Sequence, residues 1–261
     1  MAKESKKGKS LCIFSAKGGV GKTITTLNLA GIFKSIGKKV LIIDLDLASG
    51  GISVALNVET KKDIFQLSED LMNNRYKDFK NYVALYDKDI EFIASPKDPR
   101  QMARMEARYI DLIIEKASFL YDVILIDTNH FLNDVNLLAL DKADSILFIT
   151  TNDPMDLKNL KSLLSIFRDS NITKYKILLN NSKDPYKEFF SEADMKNILR
   201  SNIDYTLSAR FFIKNIDSYI MNGKIITLLP KMPNAFAKDY ATLTTVATDL
   251  LDNGGNKNEK K

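Results

Sequence analysis

The sequence predicts one α/β domain built on a doubly wound, mostly parallel sheet with helices on both faces. Short apolar runs alternate with longer segments of helical periodicity, which is the pattern of repeated βαβ units. The apolar runs are continuous in Val, Ile and Leu, as expected of strands that are covered on both faces. No Pro-, Gly- or Ser-rich linker interrupts the chain, and 261 residues are a common size for one large α/β domain.

The predicted elements follow one another in regular order. The first strand, residues 11–14, leads through a glycine-rich turn into a helix over residues 23–36, which Gly37 ends. Further strands are predicted at residues 40–43, 90–94, 123–126, 146–149, 176–179 and 205–207. Further helices are predicted at residues 109–120, 157–167, 192–199, 212–221 and 236–251. Because helical crossovers between parallel strands are right-handed, these elements predict a doubly wound sheet.

Charged tails flank the predicted domain, which spans residues 10–252. Residues 1–9 are basic and residues 253–261 contain no apolar side chain, so both segments are expected to be solvated. The net charge of +5 and the pI near 9.0 raise the alternative of non-specific DNA binding. The candidate DNA contacts in the C-terminal half are Arg200, Lys214, Lys224, Lys231 and Lys238. Because they are scattered along the sequence, a solvated surface and a DNA-binding surface both remain open.

Composition and cysteine usage predict a cytoplasmic protein. A charged or turn residue breaks every apolar run well short of the ~18 residues that a membrane span needs. The apolar run after the basic N-terminus is too short for a signal sequence with its cleavage site. Cys12 is the only cysteine, which excludes a disulfide framework and a cysteine-based zinc site. The Gly-, Asn- and Lys-rich end lacks an amphipathic face, so we expect no direct membrane anchor by a C-terminal helix.

The candidate chemistry is concentrated in the segment Lys17-Gly18-Gly19-Val20-Gly21-Lys22-Thr23, between the first strand and the first helix. Its three glycines allow the backbone to approach phosphate oxygens and to turn amide groups inward. The following helix presents its positive N-terminal end to the same anion. Lys22 is placed to bind the β- and γ-phosphates, and the Thr23 hydroxyl to bind Mg²⁺. ATP and Mg²⁺ are therefore the predicted cofactors.

This segment resembles the deviant Walker A motif of the ParA/MinD ATPases, because Ala16 stands at the first glycine of the general P-loop and Lys17 adds a second lysine. The resemblance covers roughly residues 10–250 and implies a P-loop NTPase fold. It implies that Lys17 acts catalytically across an ATP-sandwich dimer, on the partner's phosphates, alongside Lys22. It also implies nucleotide contacts from the loop glycines and from the amides of Val20 and Ile24. Many relatives have a second threonine at the place of Ile24, so here only the backbone amide can serve.

Acidic side chains follow two of the predicted strands. Asp44 and Asp46 close the second strand and Asp127 ends a later one, at the edge where open α/β sheets bind ligands. By resemblance, Asp46 orients the attacking water and is catalytic, while Asp44 lies near the magnesium shell. Asp127 resembles the Walker B aspartate, which is held near Mg²⁺ through water. Asn180 matches the adenine-contacting asparagine of the family, with a turn-forming asparagine as the alternative because Asn181 follows it.

The segment after Asp127 departs from the family pattern. Relatives often carry proline or small residues after the Walker B Asp-Thr/Ser, whereas here Thr128 is followed by Asn129 and His130. His130 is the only histidine, which excludes a metal site with several histidines. A general base and a loop histidine with a packing role both remain open for it. The departure bears on the rate of hydrolysis more than on ATP binding.

Together these features predict an ATPase that serves as a dimerisation switch. By resemblance, Mg²⁺, both lysines and the loop amides stabilise the phosphoryl transition state, so turnover is slow without dimerisation or an activating partner. The homodimer would recruit a protein partner or cargo, at a pole or at an assembly. A nucleotide-dependent scaffold with little turnover is the alternative.

Three stretches resemble the CpaE/TadZ branch, which is associated with pilus assembly. They are residues 44–52, 92–96 and 134–151. A flagellar-number regulator and a plasmid or chromosome partition ATPase remain alternatives. A reductase like the nitrogenase iron protein is disfavoured, because its bridging iron–sulfur cluster needs paired cysteines.

Overall fold

The computed structural model describes residues 7–183, 188–213 and 216–252. Its strands are β1 (Lys9–Phe14), β2 (Val40–Leu45), β3 (Ala84–Asp87), β4 (Ile90–Ile93), β5 (Val123–Thr128), β6 (Ser145–Thr150), β7 (Tyr175–Asn180) and β8 (Tyr205–Leu207). Within the described ranges they form one eight-stranded sheet in the order β3-β4-β2-β5-β1-β6-β7-β8. Neighbouring strands are parallel except β3, which pairs antiparallel with β4 at one edge. The predicted single α/β domain with a mostly parallel sheet is confirmed.

Helices cover both faces of this sheet. They are α1 (Lys22–Ser35), α2 (Ile52–Ala55), α3 (Ile64–Met72), α4 (Arg108–Ser118), α5 (Asp134–Lys142), α6 (Pro154–Asp169), α7 (Glu192–Leu199), α8 (Ile216–Met221), α9 (Met232–Ala235) and α10 (Ala237–Asp252). Short 3₁₀ helices lie at Phe79–Tyr82, Pro99–Arg104, Ala209–Phe211 and Ile226–Leu228. In the part of the chain that the structure describes, no helix combines the length and the apolarity needed to cross a membrane.

Two apolar cores result from the alternation of side chains along the strands. In β1, Cys12 and Phe14 pack against residues of α3 to α7, while Leu11 and Ile13 pack against residues of α1, α2 and α10. All four side chains are buried because both faces are covered. Fully burying a Leu, Ile or Phe side chain contributes about 1.5–3 kcal/mol. The central strands therefore hold the loops at their carboxyl ends in fixed positions.

The helix predicted at residues 212–221 is wrong at its start, because residues 212 and 213 are not helical. Residues Ala209–Phe211 form a 3₁₀ helix and Ile216–Met221 form α8, while residues 214 and 215 lie outside the described residues. The ring of Phe211 is buried edge-on against Phe236, with 5.4 Å between centroids, so the chain turns there to bring that ring under α10. At the other end of the chain, β1 begins at Lys9, one residue before the predicted start of the domain. Of the two predicted tails, residues 1–6 and 253–261 lie outside the described residues.

Several elements were not predicted, and their local sequences explain why. Helix α3 begins with a capping box in which Asp63 accepts from the amide of Gln66, whose side chain accepts from the amide of Asp63. This Asp-x-x-Gln pattern is a readable signal for the start of a helix. Strand β3 is partly exposed and belongs to the antiparallel edge, so it lacks the continuous apolar run of the central strands. Helix α5 has its N-cap at Asn133, close to polar residues that suggest a loop.

Candidate functional site

The phosphate loop is the turn between β1 and α1, and its shape depends on two glycines. Gly19 and Gly21 have φ angles of 75° and 99°, in the left-handed region where residues with a Cβ are strained. At Gly21 a Cβ would also lie 2.7 Å from Nδ2 of Asn180. That amide group donates to the carbonyl of Val20 at 2.9 Å, which ties the loop to the end of β7. The glycines at positions 19 and 21 are therefore required by the backbone conformation itself.

Lys22 lies inside this loop. Its side chain is 8% exposed, and its Nζ donates to Oγ of Ser15 at 2.8 Å. Ser15 in turn donates to the carbonyl of Lys17 at 2.6 Å. Burial lowers the pKa of Lys22, and the nearby negative charges of Asp127 and other carboxylates oppose this shift. A buried ammonium whose one hydrogen-bond partner among the described residues is a neutral hydroxyl is well suited to bind an anion.

Asp127 lies at the end of β5, next to the start of α1. Its Oδ2 accepts from Oγ1 of Thr23 at 2.7 Å, and its Oδ1 accepts from Oγ1 of Thr26 at 2.8 Å. Burial raises the pKa of Asp127 to about 6, although the two hydroxyls and the charge of Lys22 act in the opposite direction. A hydroxyl and a carboxylate in contact are a hard oxygen donor set of the kind that Mg²⁺ prefers.

Asp44 and Asp46 separate into two different environments. Asp44 is buried, and its oxygens accept from the amides of Asp46 and Ile52, each at 3.1 Å. Burial and the neighbouring charge of Asp127, its register partner in β5, raise the pKa of Asp44 to about 8. Asp46 is half-buried, and its Oδ1 accepts from the amide of Ser49 at 3.2 Å. Asp44 therefore braces the loop after β2, while Asp46 lies in the loop nearer to solvent.

The predicted metal ligands Thr23, Asp44 and Asp127 are brought together by adjacent β2, β5 and the start of α1. Thr23 and Asp127 touch, whereas both oxygens of Asp44 are bonded to backbone amides. Within the described residues, no group of three or more His, Cys, Asp and Glu side chains is arranged to hold a metal. A Mg²⁺ ion here would take its remaining ligands from water and phosphate, which is its usual mode of binding. The donor set fits the predicted cofactor on these terms.

Lys17 lies at the outer rim of the phosphate loop. Its side chain is 41% exposed, and its Nζ is 3.0 Å from Oδ2 of Asp153, the residue that precedes α6. The next residue, Gly18, is exposed, and a Cβ there would lie 3.3 Å from the ring of His130. The two lysines of the motif thus point to different places, Lys22 into the loop and Lys17 away from it. Gly18 and Gly19 leave the mouth of the loop open to solvent between them.

The loop after β5 is held in place by a buried asparagine that the sequence did not indicate. Nδ2 of Asn136 donates to Oδ1 of Asn129 at 2.6 Å and to the carbonyl of Phe131 at 2.8 Å. Oδ1 of Asn129 also accepts from the amide of Phe131. In the described part of the chain, Nδ2 of Asn129 and Oδ1 of Asn136 have no hydrogen-bond partner. Asn129 is thus used for packing this loop, and His130 is the side chain that reaches the phosphate loop.

The remaining predicted nucleotide contacts have these positions. Val20 is buried, Ile24 is half-buried on the first turn of α1, and Asn180 is buried at the end of β7. Oδ1 of Asn180 accepts from the amide and the hydroxyl of Ser182. Both ends of this amide are therefore engaged with the protein, and a contact with adenine would exchange one of these bonds.

Sequence reasoning missed Ser15, Thr26, Asn136, Asp153 and Asp156 as members of this region. Two of them had a readable signal. Thr26 lies three residues after Thr23, which places both on one face of the helix. Asp153 precedes a proline, a common start of a helix. Nothing in the sequence singles out the others.

Comparison with known proteins finds a matching family model and several relatives. The family model described as the AAA domain matches residues 8–182. The chain is 29% identical over 170 residues to the sporulation initiation inhibitor protein Soj of Bacillus subtilis. The aligned region is 62% of this chain and 65% of Soj. It is 22% identical over 179 residues to the antiactivator FleN of Pseudomonas aeruginosa. The aligned region is 67% of this chain and 62% of FleN. The chain thus spans less than two thirds of the length of these two relatives.

A solved structure has the same fold. The septum site-determining protein MinD of Pyrococcus horikoshii, complexed with Mg-ADP, matches with a TM-score of 0.75. The match covers 93% of this chain and 96% of that one at 17% sequence identity. At this level of identity the likeness shows the fold alone.

Proposed function

The chain belongs to this AAA-domain family of ParA/MinD-type P-loop ATPases, and on that basis we propose that it binds ATP with Mg²⁺, dimerises in the bound state and hydrolyses ATP slowly. The homodimer is the state that recruits a partner. This proposal rests on where the two lysines of the motif lie. Lys22 is buried within its own loop, whereas Lys17 lies on the outer rim with its ammonium directed away from that loop. A lysine in that position can serve the nucleotide of a second copy that faces it.

The residues of one loop have separate roles in this account. The amides of residues 18–24 and the ammonium of Lys22 bind the phosphates, and the hydroxyl of Thr23 with Asp127 holds the Mg²⁺ ion. When bound, the ion neutralises charge on the phosphates and orients them. Lys17 of the facing copy adds a second positive charge where negative charge develops during transfer. Most of the catalysis is then positioning and charge stabilisation.

Asp46 is the proposed residue that orients the attacking water. It is half-buried in the loop after β2, and among the described residues its carboxylate has a single backbone partner, the amide of Ser49. That leaves the other carboxylate oxygen available to a water molecule. Asp44 supports this loop through its bonds to Asp46 and Ile52. In this proposal it would lie close to the shell of a bound Mg²⁺ ion.

The test is phosphate release as a function of protein concentration. If a dimer is the active form, the rate per chain rises with concentration and then levels off. Asp46→Ala should bind ATP and dimerise but release phosphate at least about tenfold more slowly. A rate per chain that does not depend on concentration would refute activation by dimerisation.

A scaffold with little turnover is the second candidate, and the loop after β5 favours it. By the resemblance described above, Asn129 and His130 follow the Walker B segment where the family often has proline or small residues. Asn136 fixes this loop by two hydrogen bonds. A loop held in this way changes shape less readily when nucleotide binds. Dimerisation with ATP but no detectable phosphate release would establish the scaffold.

We propose the cellular role from three stretches of the sequence that resemble one branch of the family. Residues 44–52, 92–96 and 134–151 support a role in pilus assembly with recruitment to a pole. Regulation of flagellar number and plasmid or chromosome partition are the alternatives. A tagged chain expressed in its own cells tests the choice. Foci that overlap pilus machinery support the first role, and foci that follow DNA support partition.

Non-specific DNA is a further candidate partner. Arg200, Lys224, Lys231 and Lys238 are exposed, whereas Lys214 lies outside the described residues. Binding of this kind weakens steeply with salt because counterions are released from the DNA. No binding at low salt, or binding that salt leaves unchanged, would rule it out.

A further inference from the structure

The carboxylate of Asp153 has two oxygens with two separate partners. Oδ1 accepts from the amides of Met155 and Asp156, at 3.0 and 2.9 Å, and so caps the N-terminus of α6. Oδ2 is 3.0 Å from Nζ of Lys17. Because the cap uses only one oxygen, the ion pair is an addition that the helix does not need.

One further contact brings α6 to the rim of the phosphate loop, and another holds its first turn to the residue after β6. Nδ2 of Asn159 donates to the carbonyl of Ala16 at 3.3 Å. Asp156 is fully buried, and its Oδ2 accepts from the amide and the hydroxyl of Thr151. Its Oδ1 has no hydrogen-bond partner among the described residues. The contact of Asn159 therefore places α6 against the phosphate loop, beside the ion pair of Asp153 and Lys17.

We propose that Asp153 is a positioning residue that holds Lys17 in its own protomer and competes with the nucleotide of the facing copy. This inference rests on the proposed trans role of Lys17. In the single chain, Lys17 is paired with Asp153. In the dimer, the same ammonium moves to the partner's phosphates, and Asp153 keeps its cap on α6. ATP-dependent dimerisation therefore includes the breaking of two such ion pairs, one in each copy.

The size of the effect follows from the exposure of the pair. Its side chains are 41% and 32% exposed, so the pair is partly screened by water. Exposed pairs of this kind shift an equilibrium by about two- to fivefold. Because a symmetric dimer releases two of them, the dimer dissociation constant should change by about four- to twenty-fivefold when the pair is removed. Added salt should reduce this change.

Asp153→Asn is the variant that tests the proposal. An asparagine keeps an oxygen for the helix cap, and Asn and Asp are comparably good N-caps. With its Oδ1 kept for the cap, its Nδ2 takes the place of Oδ2 and, as a donor, cannot accept from Lys17. Asp169→Asn is the matched control, because it removes the same charge from an exposed position at the other end of α6. The dimer dissociation constant is measured by light scattering over a dilution series, with a non-hydrolysable ATP analogue and Mg²⁺, at low and high salt.

The expected result is a dimer about four- to twenty-fivefold tighter for Asp153→Asn than for Asp169→Asn at low salt, with a smaller difference at high salt. The double variant Lys17→Ala/Asp153→Asn should dimerise no better than Lys17→Ala alone. Equal or weaker dimerisation of Asp153→Asn would overturn the inference while leaving the switch intact. Failure of the wild type to dimerise would instead refute the proposed function, and this inference with it.

Discussion

The hydroxyl of Thr23 and the carboxylate of Asp127 are 2.7 Å apart, so one hydrogen bond joins the start of α1 to the end of β5. The same carboxylate accepts from Thr26 through its other oxygen at 2.8 Å. Thr23 is half-buried at the mouth of the loop, whereas Thr26 is fully buried. Of the two hydroxyls on this carboxylate, that of Thr23 is accessible to a ligand and that of Thr26 is not. We therefore expect a binding role for Thr23 and a structural role for Thr26.

This difference predicts opposite results for two matched variants. Thr23→Ala should weaken ATP binding in the presence of Mg²⁺ by about 10- to 100-fold and should leave Mg²⁺-free binding nearly unchanged. Thr26→Ala should lower the free energy of unfolding by about 1–3 kcal/mol, because it removes a buried partner of Asp127. Its ratio of affinities with and without Mg²⁺ should stay close to that of the wild type. Calorimetric titration with and without Mg²⁺ gives both ratios, and equal losses in the two variants would contradict the assignment.

Gly21 and Gly37 form a second matched pair. Both have left-handed backbones, with φ angles of 99° and 76°. Alanine at either position should therefore cost about 1–2 kcal/mol of folding stability. Only at Gly21 does the added Cβ meet Nδ2 of Asn180, whereas nothing lies within 4 Å at Gly37. Gly21→Ala should abolish ATP binding while Gly37→Ala retains it, and retention by both, measured by fluorescent nucleotide titration, would refute a loop held in this shape for binding.

The pH dependence of stability should reveal the burial of Asp44. Its pKa is raised from 3.8 to about 8 in the folded protein, so the folded state binds the proton more tightly than the unfolded state. The stability of the nucleotide-free protein should therefore fall between pH 4 and pH 8 as this proton is lost. Asp44→Asn removes that contribution, so its stability relative to the wild type should increase over the same range. Urea unfolding at several pH values measures both curves, and parallel curves would show that Asp44 is not held in this environment.

Asn136 should be important for stability because its side chain is buried and fastens the loop after β5. Asn136→Ala removes the donor to Asn129 and to the carbonyl of Phe131, at a cost of about 1–3 kcal/mol. Asn159→Ala is the exposed control and should change stability by less than about 0.5 kcal/mol. Urea unfolding of both variants measures the difference. An effect of Asn136→Ala as small as that of the control would mean that the loop is not anchored there.

Much of the fold could be predicted because its strands carry continuous apolar runs. The runs at residues 40–43 and 146–149 are buried on both faces, and short continuous apolar runs of this kind are typical of strands in a parallel sheet. The edge strand β3 is partly exposed and escaped prediction for that reason. The helix expected from residue 212 failed because the local pattern does not show that Phe211 turns inward against Phe236. Such a contact between distant segments is visible only in three dimensions.

The phosphate loop was predictable because its chemistry requires particular residues at fixed spacing. The partners that complete it were not, because they arrive from other parts of the chain. Ser15 is adjacent in sequence to the loop, but its bond to Lys22 depends on how the loop folds back. Asp153 is far from Lys17 in sequence and meets it only because β6 lies beside β1. The motif predicts the nucleotide as ligand, whereas the order of the strands in the sheet determines which distant residues lie beside the loop.

The mass of the protein in solution tests the central claim most directly, by light scattering of the wild type and Lys17→Ala with a non-hydrolysable ATP analogue and Mg²⁺. The wild type should change from a monomer of 29.5 kDa to a dimer of about twice that mass. Lys17→Ala should bind the nucleotide and remain monomeric. A wild type that stays monomeric with nucleotide bound, or a Lys17→Ala variant that dimerises equally well, would contradict the account.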